Sequence, residues 1–248
     1  MDAALAFRGV AKTYRDGTDA LRPVDLEVQR GQLVAIVGPS GCGKSTLLRI
    51  AAGLEPATAG TVERRGTIGY VFQDANLLPW RSTFANVELG AELDGVDRAE
   101  RRRRTAEAIS LVGLDGFEDH RPHALSGGMR MRASLARALV LDPDVFLFDE
   151  PFGALDEITR ERLNEELLRL FELRQFAGVF VTHNVYEAVF VATDVVVMSG
   201  RPGEITDRFE VPFGLSRPTE LRFTPEFGAL AGEVSAALRH AAALVSVG

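Results

Sequence analysis

What this chain lacks sets the first limits. Of its 248 residues only one, Cys42, is a cysteine, which excludes an internal disulfide and fits a reducing compartment. No uninterrupted apolar run comes near the roughly 18 residues that a membrane-spanning helix needs. The opening MDAALAFRGVAKTY has no basic start followed by an apolar stretch, so no secretory signal is expected there. A surplus of positive charge is also missing: the formal net charge is −7, which gives no bulk attraction for nucleic acid. Lysine stands only at Lys12 and Lys44, with arginine supplying the other cations, so the placement of Lys44 stands out. There are no internal repeats and no low-complexity linkers. The remainder, 46% hydrophobic and 25% charged, is the composition of an ordinary soluble protein. Its length suits one large domain or two unequal lobes around a sizeable core.

The pattern along the chain is that of an α/β protein. Residues 1–60 read largely as strands, with LVAIVG a short apolar run ending in glycine. A helix is expected over residues 44–52, stopped by Gly53, before TVERRGTIGYVFQ returns to strand character. From about Asn76 to Leu139 the spacing becomes helical. PDVFLFDEP, GVFVTH and DVVVMSG then read as strands buried on both faces of a sheet, separated by helices over residues 157–176 and 185–192. Alternating strands and helices predict a largely parallel sheet, with the 76–139 region as a helical insertion. Beyond Pro202 the signal weakens to a short strand near 204–209, a proline-containing loop and a tail helix from 226.

Two stretches carry chemistry on their own. GPSGCGKST, residues 38–46, fits the G-x-x-x-x-G-K-[ST] phosphate loop, and it follows an apolar strand and opens a helix, as that motif requires. Gly38, Ser40, Gly41, Cys42 and Gly43 let backbone N–H groups curl around phosphates. Lys44 adds a cation, and Ser45, followed by Thr46, offers a hydroxyl to Mg²⁺. VFLFDEP ends a hydrophobic strand in two carboxylates. Asp149 is placed to hold hydrated Mg²⁺, and Glu150, one residue further out, to polarise a water attacking a terminal phosphate. A third stretch, HALSGGMRMRASLARAL, puts Ser126, Gly127 and Gly128 at the start of an amphipathic helix, where free N–H groups and the helix dipole attract anions. A domain with one phosphate loop has no evident need of a second such helix start.

Taken in order, GPSGCGKST, LSGGM, FLFDEP and VTH resemble the nucleotide-binding subunits of ABC transporters over residues 5–210. The resemblance implies a P-loop NTPase core with an N-terminal antiparallel β lobe and an inserted α-helical subdomain. It places an ABC ATPase domain at 1–210, with the insertion at about 76–139, and a C-terminal tail at 211–248. It implies ATP and Mg²⁺ as cofactors, with Tyr14 stacking on adenine, Gln73 sensing Mg²⁺ and the attacking water, Asp156 addressing the opposite subunit, and His183 contacting the γ-phosphate. Ser126, Gly127 and Gly128 would then serve ATP held by a neighbouring copy, which explains the second helix start and predicts a homodimer. Integral membrane permease subunits, and indirectly a solute-binding protein, are the implied partners, at the cytoplasmic side of the inner membrane. DANLLPWRSTFANVELG, SGRPGEI and the Met129 of LSGGM are similar to the nitrate, sulfonate and taurine importer group.

Several positions keep plainer alternatives. Tyr14 could cap a strand edge, Gln73 could be a turn residue, and His183 could be structural. Cys42 reads as a small space-filler. Trp80 fits either packing in the helical insertion or a groove for a permease helix. The arginine run 101–104 reads as a solvated helix face beside Glu100 and Glu107. Met131 stands where this family commonly carries Gln, and Asn184 where Asp is usual, so a polar contact and a charge are expected to be lost there. The competing function is a non-transport ABC ATPase acting on nucleic acid or ribosomes. Such proteins usually carry a second cassette, a long coiled coil or zinc-binding cysteines, and this chain has one cassette and one cysteine.

Overall fold

The computed structural model describes residues 3–243. In chain order the elements are β1 (Leu5–Thr13), β2 (Asp19–Val28), β3 (Leu33–Val37), α1 (Lys44–Ala51), β4 (Ala59–Arg64), β5 (Ile68–Val71), α2 (Thr83–Leu93), α3 (Arg98–Leu111), α4 (Gly127–Leu139), β6 (Val145–Asp149), α5 (Glu157–Arg174), β7 (Ala177–Val181), α6 (Val185–Val191), β8 (Asp194–Met198), β9 (Ile205–Glu210) and α7 (Pro225–Ala243).

Two sheets organise the fold. β2, β1 and β4 form an antiparallel three-stranded lobe. The central sheet has the order β5-β6-β7-β3-β8-β9, parallel except where β9 runs against β8. Every residue of β3, β6, β7 and β8 is buried, because helices or the antiparallel lobe cover both faces. Alternate side chains divide between two cores. Ala35, Val37, Phe146, Phe148, Phe180 and Val197 face α5, α6 and α7. Ile36, Leu147, Val179 and Val196 face α1 and the antiparallel lobe.

Helices α2, α3 and α4 form the insertion between β5 and β6. Helix begins at Thr83 rather than at 76 because Pro79 interrupts the preceding stretch and Ser82 caps α2, accepting the Ala85 N–H at 3.3 Å. The arginine run is occupied on its own surface. Arg101 pairs with Glu88 at 3.0 Å, Arg104 with Glu100 at 2.8 Å, Arg103 with Glu100 at 2.7 Å and also with Glu107. Arg102 lies 5.0 Å over the Phe84 ring. β5 ends at Val71, so Gln73 lies just beyond the strand rather than on its last residue.

The tail folds back on its own chain. Val211, Phe227, Ala231, Val234 and Ala241 join the core, with α7 against α6, β8 and β9. Arg217, 7% exposed, donates to the carbonyls of Val189 (3.1 Å), Phe190 (2.7 Å), Phe213 (3.0 Å) and Gly214 (2.7 Å), capping the end of α6. The expected tail helix runs into residues 244 and 245, which lie outside the described residues. Among the described residues no helix is long and apolar enough to cross a membrane.

Candidate active site

The phosphate loop is shaped by steric demands of the chain itself. A Cβ on Gly38 would sit 2.8 Å from Cys42 Sγ and 3.0 Å from the Met198 carbonyl. Gly43 has φ 103°, and a Cβ there would sit 2.6 Å from Leu21 Cδ2 and 2.8 Å from the Ala20 carbonyl; only glycine meets both conditions. Cys42 is 1% exposed and packs in the same apolar cluster as Leu21 and Leu47, which is the space-filling position. Ser40 and Gly41 are exposed. Lys44, at the first turn of α1, is 5% exposed, and its Nζ donates to the Gly38 carbonyl at 2.7 Å and the Pro39 carbonyl at 3.0 Å. Both acceptors are neutral, so the cation is held within the loop without a carboxylate.

The acidic strand end meets the loop from below. Ser45 Oγ donates to Asp149 Oδ1 at 2.7 Å, and the Tyr70 hydroxyl donates to Asp149 Oδ2 at 3.0 Å. Burial, followed by the Asp149 charge, pushes the Tyr70 phenol above its ordinary pKa, so it remains a donor at neutral pH. A carboxylate 7% exposed whose partners are two hydroxyls is a hard oxygen set that fits Mg²⁺ in the usual way, with one or two protein ligands and phosphates completing the shell. The chain then turns sharply. Glu150 adopts φ 47°, left-handed and costly for a side chain with a Cβ, and its N–H is held by the Val181 carbonyl at 3.0 Å. That turn directs Glu150 Oε2 to His183 Nδ1 at 2.9 Å.

Tyr14 follows β1, and its hydroxyl lies 3.1 Å from Thr46 Oγ1. Lys12 Nζ, bonded to Glu55 Oε1 at 2.5 Å and the Pro56 carbonyl at 2.8 Å, sits 5.1 Å over one face of the Tyr14 ring. Tyr14, Ser40, Gly41, Cys42, Gly43, Lys44, Ser45, Thr46, Gln73 and Glu150 all line one open groove, joined by Thr18, Ala20 and Arg201. Asp149 reaches it through Ser45, and His183 through Glu150.

Gly38 is buried beneath the loop rather than lining the groove, and four further expected residues lie elsewhere. Ser126 caps α4, accepting the Met129 N–H at 3.2 Å, and a Cβ on Gly128 would sit 2.8 Å from Thr159 Cγ2. A Cβ on Gly127 would meet only Leu155 Cδ2, at an ordinary contact distance of 3.5 Å. Asp156 caps α5, accepting the Thr159 N–H at 3.0 Å, a bond that lowers its pKa. Ser126, Gly127, Gly128 and Asp156 therefore share a neighbourhood at the start of α5, away from the phosphate loop. Tyr70, Lys12 and Arg201 had no sequence signal, since each depends on strands or loops meeting in space. Met131 is 5% exposed and belongs to the core, and Asn184 caps α6, accepting the Glu187 N–H at 3.1 Å.

A phosphate loop on a parallel sheet, an acidic strand end beside it and a helical insertion carrying LSGGM define an ATP-binding cassette. The chain belongs to the ABC transporter family, whose sequence profile matches residues 21–153, and it is an ABC-type ATPase. The taurine import ATP-binding protein TauB of Rhizobium johnstonii is 41% identical over 242 residues, covering 92% of this chain and 92% of that protein. The TauB of Yersinia pestis is 43% identical over 206 residues, covering 80% of this chain and 81% of that protein. Among solved structures, the dimeric cassette MJ0796 in a post-hydrolysis state bound to ADP and Pi matches with TM-score 0.75 and 33% identity, covering 85% of this chain and 100% of that one.

Proposed function

We propose that this chain is the energy-coupling ATPase of a bacterial importer in the nitrate, sulfonate and taurine group, acting as a homodimer on the cytoplasmic face of the membrane beneath permease subunits. The identity with taurine import subunits over most of the chain carries the importer reading. The separation of LSGGM from the phosphate loop within one chain supports the dimer, because a second copy would bring its own Ser126, Gly127, Gly128 and Asp156 over the groove.

In this reading the loop amides and Lys44 receive the β- and γ-phosphates, Lys44 exchanging carbonyl partners for phosphate oxygens. The Tyr14 face opposite Lys12 receives adenine. Ser45 and Asp149 would hold Mg²⁺, with Gln73 nearby; when bound, the metal neutralises charge building on the phosphates. Glu150 takes a proton from the attacking water, and His183, bonded to it, orients that carboxylate and reaches the γ-phosphate. The apolar concavity lined by Tyr70, Phe72, Leu78, Leu89, Leu93 and Leu141, with Leu93 78% exposed, suits a permease helix. Trp80 is 68% exposed, so it does not serve as packing for the insertion.

The test is ATP-driven dimerisation of the Glu150→Gln variant by analytical ultracentrifugation. Dimers are expected with Mg²⁺ and ATP, and none when Lys44→Ala is added. A Glu150→Gln protein that stays monomeric at saturating nucleotide overturns the sandwich mechanism. Failure to co-purify with a polytopic membrane protein overturns the importer assignment.

A further inference from the structure

The turn between β7 and α6 holds a buried carboxylate that the proposed chemistry does not use. Glu187 is 5% exposed, one turn after His183. Its Oε2 accepts the Thr182 hydroxyl, and its Oε1 accepts Asn164 Nδ2 from α5 at 3.3 Å. The direction of the first bond follows from the Asn184 N–H, which donates to Thr182 Oγ1 at 3.0 Å and leaves the hydroxyl proton for Glu187. Asn184 Oδ1 in turn accepts the Glu187 N–H at 3.1 Å. Thr182, on one side of His183, is thus tied to the carboxylate directly, and Asn184, on the other, is tied to the Thr182 hydroxyl and to the Glu187 backbone.

The same turn is pinned from the sheet. The Thr182 N–H donates to the Ile36 carbonyl at 3.2 Å, and the Glu150 N–H donates to the Val181 carbonyl at 3.0 Å. Only the His183 ring leaves this frame, with its side chain 60% exposed and its Nδ1 2.9 Å from Glu150 Oε2. Burial raises the pKa of Glu187 against the pull of Thr182, Asn164, Arg160 and His183. A buried acid is a costly tether unless it fixes something.

We propose that Glu187 is a positioning residue for hydrolysis: through the Thr182 hydroxyl, which also holds the Asn184 N–H, its carboxylate fixes the turn that presents His183 and so holds the imidazole against Glu150. This rests on the reading of Glu150 and His183 as the hydrolytic pair. Asn164 supplies a further expectation, because its Oδ1 is buried and has no hydrogen-bond partner. A glutamine at position 187 keeps one oxygen for Thr182 and turns its amide to Asn164, which can flip and accept it. Glu187→Gln therefore preserves the side-chain bonds, whereas Glu187→Ala removes those to Thr182 and Asn164 and leaves the backbone cap on Asn184 in place.

The experiment uses the full chain with isotope-labelled histidine, which gives four resonances, from His120, His123, His183 and His240. In Glu187→Ala the His183 signal is expected to shift or broaden while the other three stay in place. ATP affinity is expected to stay within about twofold, and kcat to fall by about 10- to 100-fold, the range that misplacement of a catalytic group produces. Glu187→Gln is expected to restore both the signal and kcat. Should Glu187→Ala fail to fold, Thr182→Val, which keeps the side-chain volume and removes the hydroxyl, is expected to move the same signal and the same rate. An unmoved His183 signal with undiminished kcat overturns the proposal, as does a Glu187→Ala protein in which ATP binding and all four histidines change together. A wild-type chain that binds ATP without hydrolysing it overturns the hydrolytic reading instead, while the His183 signal still reports on the frame.

Discussion

Gly203, in the SGRPGEI stretch after β8, buttresses the phosphate loop, and its replacement by alanine measures how far that support reaches. A Cβ there would lie 2.0 Å from the Cys42 carbonyl oxygen, 3.2 Å from the Cys42 carbonyl carbon and 2.8 Å from Met198 Cε. Close carbon–oxygen contacts settle near 3.3 Å, so the shortfall against the loop carbonyl is about 1.3 Å. Met198 can swing aside, but Gly203 cannot easily retreat. Its N–H donates to the Ala20 carbonyl at 3.0 Å, and its carbonyl accepts the Arg22 N–H at 2.9 Å. Giving up either bond costs about 1 kcal/mol net, and overpacking of this kind costs about 1–3 kcal/mol. For a chain of this size that lowers the melting temperature by roughly 2–12 °C. If the loop is the part that yields, its amides move by about 1 Å, and kcat/KM falls by about a hundredfold. The assay combines a thermal melt, titration with a fluorescent ATP analogue and steady-state hydrolysis. Gly214→Ala, where nothing lies within 4 Å, serves as the control. A Gly203→Ala protein with wild-type melting and wild-type ATP affinity refutes the buttress.

Met131→Gln, which introduces the residue more common in the family, places an amide at a position 5% exposed. It should destabilise by about 1–3 kcal/mol, less where the buried Ser134 hydroxyl, which lacks a partner three residues on, takes up one bond. Calorimetry showing no loss would mean the side chain is not in the core. Tyr70→Phe removes one of the two donors to Asp149 and should shift the Mg²⁺ concentration for half-maximal hydrolysis about fivefold, the equivalent of about 1 kcal/mol; unchanged Mg²⁺ dependence refutes that role. Stability should also report Glu187. Its pKa in the folded chain is raised above the ordinary 4.5, so the native state holds the proton more tightly than the unfolded chain. Wild type should therefore lose stability relative to Glu187→Gln as pH rises through and above that value, and a difference that stays flat with pH contradicts the burial argument.

The parts legible in the sequence were those whose physics is local or whose burial is uniform. β3, β6, β7 and β8 announce themselves as unbroken apolar runs because both faces are covered. The phosphate loop is legible because glycine spacing, Lys44 and the following helix occupy nine consecutive residues. Tyr70 was illegible because it acts across the pairing of β5 with β6, and strand order is a property of the sheet rather than of either strand. The Glu150–His183 contact depends likewise on β6 lying beside β7. Helical periodicity in the tail was visible, but not the surface it covers, since periodicity marks an apolar face without naming its partner. Within the insertion the first helix starts later than the helical texture from Asn76 suggests, because Pro79 and the Ser82 cap set its boundary.

The distance between Lys44 and Ser126 within one fold has a consequence for genetics. If each working site takes its loop from one copy and its LSGGM from another, the two defects are complementary. A chain damaged at Lys44 and a chain damaged at Ser126, each inert alone, assemble into a pair with one intact site and one doubly damaged site. Two null alleles of a single gene would then restore part of each other's activity when expressed together. An excess of either would instead poison the wild type, because every damaged copy spoils a site whose other half is sound.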